Sequence, residues 1–177
     1  MKILKLEPLT REAFQPFGEV LAADDIAHHY PINHERCVRY HHLATADAGD
    51  GKTIASVFRG NHAVLPFLLE VMERHPLGSQ IFMPMTHHPY AIIVADTTSQ
   101  PNEHDLRGFI ARPKNHILYG VNYHKNIWHH PLIALKNKTD KTLPDVTSDF
   151  WVVDRLGDGV NLEEIDITAW QLYINQF

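Results

Sequence analysis

At 177 residues, 44% hydrophobic and 21% charged, the chain is long enough to bury one sizeable core and has the make-up of an ordinary globular protein rather than a disordered or fibrous one. A formal charge of -5, with no basic run, gives no electrostatic reason to bind nucleic acid or an acidic membrane surface. The single cysteine, Cys37, cannot form an intrachain disulfide, and no apolar run nears the roughly 20 residues that span a bilayer.

The amino terminus is too short and interrupted for a secretory signal, and the carboxyl terminus carries no peroxisomal or lipidation address. A single cytoplasmic domain over residues 1–177 is therefore expected. Histidine is the anomaly: there are 14, with adjacent pairs at His28-His29, His41-His42, His87-His88 and His129-His130. The first three pairs read as surface residues in loops.

Residues 8–18 read as one short helix, with Thr10 as N-cap, Glu12 in the first turn, and Pro16 and Gly18 as stops. A strand can begin at 19–23. Residues 24–50 are polar and histidine-rich, so they read as loops around one short strand, 37–40, closed by the turn signal Gly49-Asp50-Gly51. The β-branched run 53–59 is a strand. Residues 64–75 are almost continuously apolar, which leaves helix and buried strand unresolved. As a strand, this run would put Phe67, Leu69, Val71, Glu73 and His75 on one face. Short branched or aromatic runs at 80–85, 90–95, 106–112, 132–135 and 149–154 read as strands, and 162–177 as a tail with a short helix opened by Glu163 and Glu164. Many short strands with frequent turn signals predict a mainly β sandwich or barrel.

Two stretches hold more chemistry than folding requires. In the first, Glu73, His75 and Gln80 follow a Glu-x-His-x4-Gln spacing across Gly78. On a barrel strand followed by a tight turn, this aims three oxygen or nitrogen groups at one point. The second, residues 120–131, would bring His124 to the same place from a later strand. Glu73, His75, Gln80 and His124 can then hold a divalent metal, or act without one as a base and its orienting partners. If residues 123–131 are extended, His124, Asn126, Trp128 and His130 share one face, and Lys125, Ile127 and His129 the other. That favours His124 and leaves His129 against His130 open. Tyr123 and Trp128 read first as packing residues. Arg39, Arg59, Arg74 and Lys125 are candidate anchors for an anionic substrate.

The motifs Glu73-Arg74-His75-Pro76-Leu77-Gly78-Ser79-Gln80 and Gly120-Val121-Asn122-Tyr123-His124-Lys125-Asn126-x-Trp128-His129-His130-Pro131-Leu132 resemble those of the ureidoglycolate lyase family. Supporting matches are Glu12-Ala13-Phe14-x-Pro16-Phe17-Gly18, Arg39-Tyr40-His41 and Asp149-Phe150-x-Val152-Val153-Asp154-Arg155. The likeness runs from about residue 9 to about residue 164 and departs in 28–34, 46–52 and the tail. It implies a cupin-like double-stranded β-helix barrel with short helical additions, usually a homodimer. The implied activity is cleavage of (S)-ureidoglycolate to glyoxylate and urea, a late step of allantoin and purine breakdown. On that reading Glu73, His75, Gln80 and His124 carry the catalysis, with a divalent ion as the one cofactor the ligand spacing suggests. Arg39, Arg59, Arg74, Tyr123, Lys125, Trp128 and His129 surround the substrate. An amidohydrolase that releases ammonia from a ureido acid and a non-catalytic small-acid-binding barrel are the alternatives.

Overall fold

In the computed structural model, which describes residues 1–136 and 147–175, the chain is mainly β with helix confined to short turns. Strands β1 (Lys2–Ile3) and β2 (Leu6–Pro8) lead into one helical turn, α1 (Arg11–Phe14). Thr10 caps that turn by accepting from the Ala13 amide at 3.1 Å, so the helix expected over 8–18 is present but shorter. Next come β3 (Gly18–Ala22), the hairpin of β4 (His29–Ile32) and β5 (Cys37–Tyr40), and the long β6 (Lys52–Asn61). They are followed by β7 (Phe67–Leu68), β8 (Val71–Arg74), β9 (Gln80–Pro84), β10 (Tyr90–Ala95) and β11 (Leu106–Ala111). The chain continues through β12 (Tyr119–Tyr123), β13 (Ile133–Ala134), β14 (Thr147–Leu156), β15 (Glu163–Asp166) and β16 (Leu172–Ile174).

Two sheets face each other. The first has the order β3-β12-β9-β14-β6, and the second β13-β10-β11-β2. Phe82, Val121, Phe150 and Val152 from the first meet Tyr90, Ile92, Val94 and Phe109 from the second in one buried cluster. The alternate residues of β10, Ala91, Ile93 and Ala95, join a separate cluster with Leu69, Met72, Leu172 and Ile174. Strand β10 is thus covered on both faces, which is why it reads Tyr-Ala-Ile-Ile-Val-Ala without a polar position. The covering layer includes the small sheet β1-β16-β7. Among the described residues no helix is long and apolar enough to cross a membrane.

The ambiguous run 64–75 forms two strands, β7 and β8, interrupted at Leu69 and Glu70. That break ends the shared face expected from Phe67 to His75: Leu69 and Met72 both enter the second core cluster. In the tail, Glu163 and Glu164 lie in a strand that pairs with β8, and the helical part is one 3-10 turn, Thr168–Trp170. Residues 176–177 of the expected tail lie outside the described residues. Gly18 is required where β3 begins: its φ is 153° and a Cβ there would overlap the Asn122 carbonyl of β12.

Candidate active site

Along the inner face of the first sheet, Val121, Phe82 and Val152 form one apolar row. One pleat further on, the row becomes Tyr123 opposite Gln80, with Asp154 next, one position past the Val153–Ile81 pair. The interior turns polar at this end. The second sheet meets it there with Glu73, His129 and Val94, which stand side by side through antiparallel bridges. The Glu73 amide donates to the His129 carbonyl at 2.7 Å, and the His129 amide to that of Glu73 at 2.8 Å. Directly opposed residues share a face, so Glu73 and His129 point together into the interior.

Both histidine rings are oriented by the backbone. Nδ1 of His75 lies 2.7 Å from the Asn161 carbonyl, and Nδ1 of His129 lies 2.9 Å from that of Ile127. A carbonyl only accepts, so each Nδ1 carries a hydrogen, and in the neutral tautomer that this leaves the lone pair is at Nε2. Those two lone pairs converge on the Glu73 Oε1 atom, 3.4 Å from His129 and 3.9 Å from His75. Both Nε2 atoms are buried and have no hydrogen-bond partner among the described residues. The ligand-capable atoms of Glu73, His75 and His129 all lie within 4.8 Å of one another. Three acceptors facing one another repel unless a proton or a cation sits among them, and a carbonyl-anchored imidazole is the usual form of a metal-binding histidine.

Burial pushes the Glu73 carboxyl up, but the adjoining His129 ring and the His75 and His130 imidazoles outweigh it and leave Glu73 below its ordinary value. Burial lowers His75, against the opposing effect of its bond to Asn161, so the ring favours the neutral form. Tyr123 stacks on His129, with ring centroids 4.2 Å apart and planes 9° from parallel, which fixes the imidazole on a second side. Burial, with the nearby Glu73 charge, raises the Tyr123 hydroxyl far out of the working range, so it stays protonated.

The other expected residues are placed differently. Strand β12 ends at Tyr123, and the chain turns through Lys125 and Asn126, where φ is 65° at Asn126. The turn carries the chain from the first sheet to the second and resets the alternation, so the extended run expected over 123–131 does not form. His124 is half-exposed, with Nε2 3.0 Å from Glu19 Oε1, and does not join Glu73 and His75. His129 takes that position. His130 faces away, with its ring against Phe67. Arg59 is held by both oxygens of Asp149 at 2.7 Å, Arg74 by Glu163 at 2.6 Å, and Lys125 by Asp47 at 2.8 Å. Arg39 lies exposed on β5. Trp128 is buried away from the cluster, where its indole donates to the Ser99 carbonyl at 2.9 Å and carries the Arg74 guanidinium 4.7 Å above its ring. Asp154 was not singled out by spacing. It stands one position past the Val153–Ile81 pair on the strand beside Gln80, and its charge is felt by His75, so it belongs to this end of the interior.

The fold and the site therefore define a mainly β protein with an internal Glu–His–His centre able to move protons or hold a divalent cation. The model of the ureidoglycolate lyase family matches residues 1–174, and the chain belongs to that family. It is 45% identical over 166 residues to a curated ureidoglycolate lyase of Burkholderia mallei (strain NCTC 10229), covering 93% of this chain and 89% of that one. It is 38% identical over 176 residues to one of Pseudomonas putida (strain W619), covering 98% and 97%. It is 37% identical to one of Pseudomonas syringae pv. syringae (strain B728a), covering 98% and 95%.

Proposed function

We propose that the protein is a ureidoglycolate lyase that cleaves (S)-ureidoglycolate to glyoxylate and urea, within allantoin and purine breakdown. The observation that carries this reading is the convergence of Glu73, His75 and His129 on one buried point, in a chain of this family. Ureidoglycolate is a carbinolamide that bears a carboxylate. His129 Nε2 is the atom placed to take the hydroxyl proton, and Glu73 beside it stabilises the imidazolium that results. The freed oxygen pair then forms the carbonyl of glyoxylate, the C–N bonding pair leaves on nitrogen, and that nitrogen takes a proton to give urea. No water enters the products, so the chemistry needs no activated hydroxide.

The same residues fit a divalent cation, because two buried imidazole Nε2 atoms and a carboxylate oxygen lie within 4.8 Å of one another. Glu73, His75 and His129 would hold it, with Gln80 adjacent. When bound, such an ion supplies positive charge for the substrate carboxylate and polarises the hydroxyl. His124 is not positioned for that set and is left to its contact with Glu19.

We read the chain as one domain and the two facing sheets as a cupin-like barrel. The family resemblance supports a homodimer, and so does the exposed apolar pair Trp151 and Val57, which stand opposite each other in register on β14 and β6. A cytoplasmic location accords with the lone, exposed Cys37. The test of function is a product assay on purified protein given ureidoglycolate: equimolar urea and glyoxylate are expected, and ammonia in place of urea would assign the amidohydrolase reading instead.

A further inference from the structure

Gln80 and Asp154 present an arrangement that the proton chemistry does not use. Gln80 is 6% exposed at the start of β9, one pleat past the apolar row. Burial pushes the Asp154 carboxyl up and the neighbouring Gln80 amide works against that rise, so the two side chains are neighbours. An amide favours a carboxylate through its nitrogen, which puts the Gln80 nitrogen on the side of Asp154. Gln80 Oε1 is then buried with no hydrogen-bond partner among the described residues, and so is Asp154 Oδ1. Two such acceptors on adjacent strands are costly to bury unless something supplies donors. They lie at the same end of the interior as Glu73, His75 and His129, since Tyr123 pairs with Gln80 in register and stacks on His129. Asp154 also lies near enough for its charge to act on His75.

We propose that Gln80 Oε1 and Asp154 Oδ1 form the subsite that recognises the N–H donors of a ureido group, and so select ureido acids over other small 2-hydroxy acids. This rests on the lyase reading for the identity of the ligand and adds to it the residues that read the leaving half. A terminal NH2 offers two N–H groups and can satisfy both oxygens. A methyl group in its place leaves both unpaired, and a hydroxyl can satisfy only one. Asp154 has a second role as a positioning residue, because without its carboxylate the Gln80 amide is free to turn its nitrogen inward.

The test is a pair of probes titrated calorimetrically into the full chain: hydantoate (N-carbamoylglycine), and N-acetylglycine, which carries a methyl group where the ureido NH2 stands. The native chain is expected to bind hydantoate at least ~10-fold more tightly, because a site built of unpaired acceptors rejects the analogue that lacks the donors. Gln80→Met and Asp154→Asn, both close in volume to the originals, are expected to bring that ratio to about 2 or less, with glyoxylate binding changed less than about 2-fold. In turnover, both variants are expected to raise KM for ureidoglycolate more than they lower kcat, a split that general loosening of the fold would not produce. Equal binding of the two probes by the native chain, or an unchanged ratio in both folded variants, overturns the subsite. Urea release is measured separately, which keeps the two readings apart. Urea release without discrimination sinks the subsite alone, whereas discrimination without urea release sinks the lyase reading alone.

Discussion

Replacing His129 by phenylalanine separates the chemistry of that ring from its packing. The imidazole is 2% exposed and lies flat on Tyr123, and a phenyl ring keeps that stack while removing both nitrogens. The main-chain bonds that join His129 to Glu73 do not involve the side chain and are retained. What the fold loses is the Nδ1 donor to the Ile127 carbonyl, worth about 1 kcal/mol. For a chain of this size that corresponds to a fall in Tm of roughly 2–4 °C. What catalysis loses is the lone pair at Nε2. General-base help is worth ~10²–10⁴ in rate, or about 3–5 kcal/mol in the barrier. The assay is urea release in the steady state, with thermal melts of the same samples. His129→Phe is expected to lower kcat/KM by ~10²–10⁴ while remaining folded. His124→Ala, which removes only a half-exposed contact with Glu19, is expected to change it by less than ~3-fold. A folded His129→Phe with near-native turnover, or a His124→Ala as damaged as His129→Phe, would refute the assignment.

Glu73→Gln keeps the shape of the side chain but removes the charge that stabilises an imidazolium, so kcat is expected to drop at least ~10²-fold with little change in Tm. His75→Ala is expected to fall by a similar factor, and steady-state kinetics on both variants check the pair. One equivalent of a divalent ion such as nickel or zinc is expected to raise the Tm of the native chain but not that of His75→Ala. No shift in either form would leave the three facing acceptors to a proton. At alkaline pH the buried Tyr90 adds its own pH dependence to stability. Burial first, and the neighbouring Tyr123 second, raise the Tyr90 hydroxyl well above 10, so the folded chain keeps a proton that the unfolded chain releases. This contribution is fully present below pH 10 and is lost as the pH rises past it. Tyr90→Phe is expected to flatten the decline in Tm between pH 9 and 11, while costing about 1 kcal/mol at neutral pH for the lost bond to the Tyr119 carbonyl. An unchanged alkaline slope would contradict the burial argument.

The parts of the candidate site written in local spacing could be read from the sequence. Glu73, His75 and Gln80 are close together in the chain, and Gly78 lies where the turn brings them round: a Cβ there would meet the Arg155 Cβ at 2.7 Å. The mainly β class was legible too, because runs such as 90–95 are too short and too branched for helix. The exchange of His124 for His129 was not. It depends on Asn126 adopting a left-handed conformation, which asparagine tolerates but does not announce. The ion-pair partners of the candidate anion anchors were hidden for a related reason. Arg59, Arg74 and Lys125 meet Asp149, Glu163 and Asp47, partners far away in the chain that only sheet register or loop packing brings near. Asp154 stood in a family motif but was not singled out by spacing, because its place beside Gln80 follows from the β14–β9 register, which no local pattern encodes.

The most direct test of the central claim is urea release by His129→Phe, measured against His124→Ala on the same preparation of ureidoglycolate. If the centre is built on Glu73, His75 and His129, the first variant loses turnover by orders of magnitude and releases no ammonia in its place, while the second stays close to the native rate. Full activity in His129→Phe together with loss in His124→Ala would contradict it and move the chemistry to the surface beside Glu19.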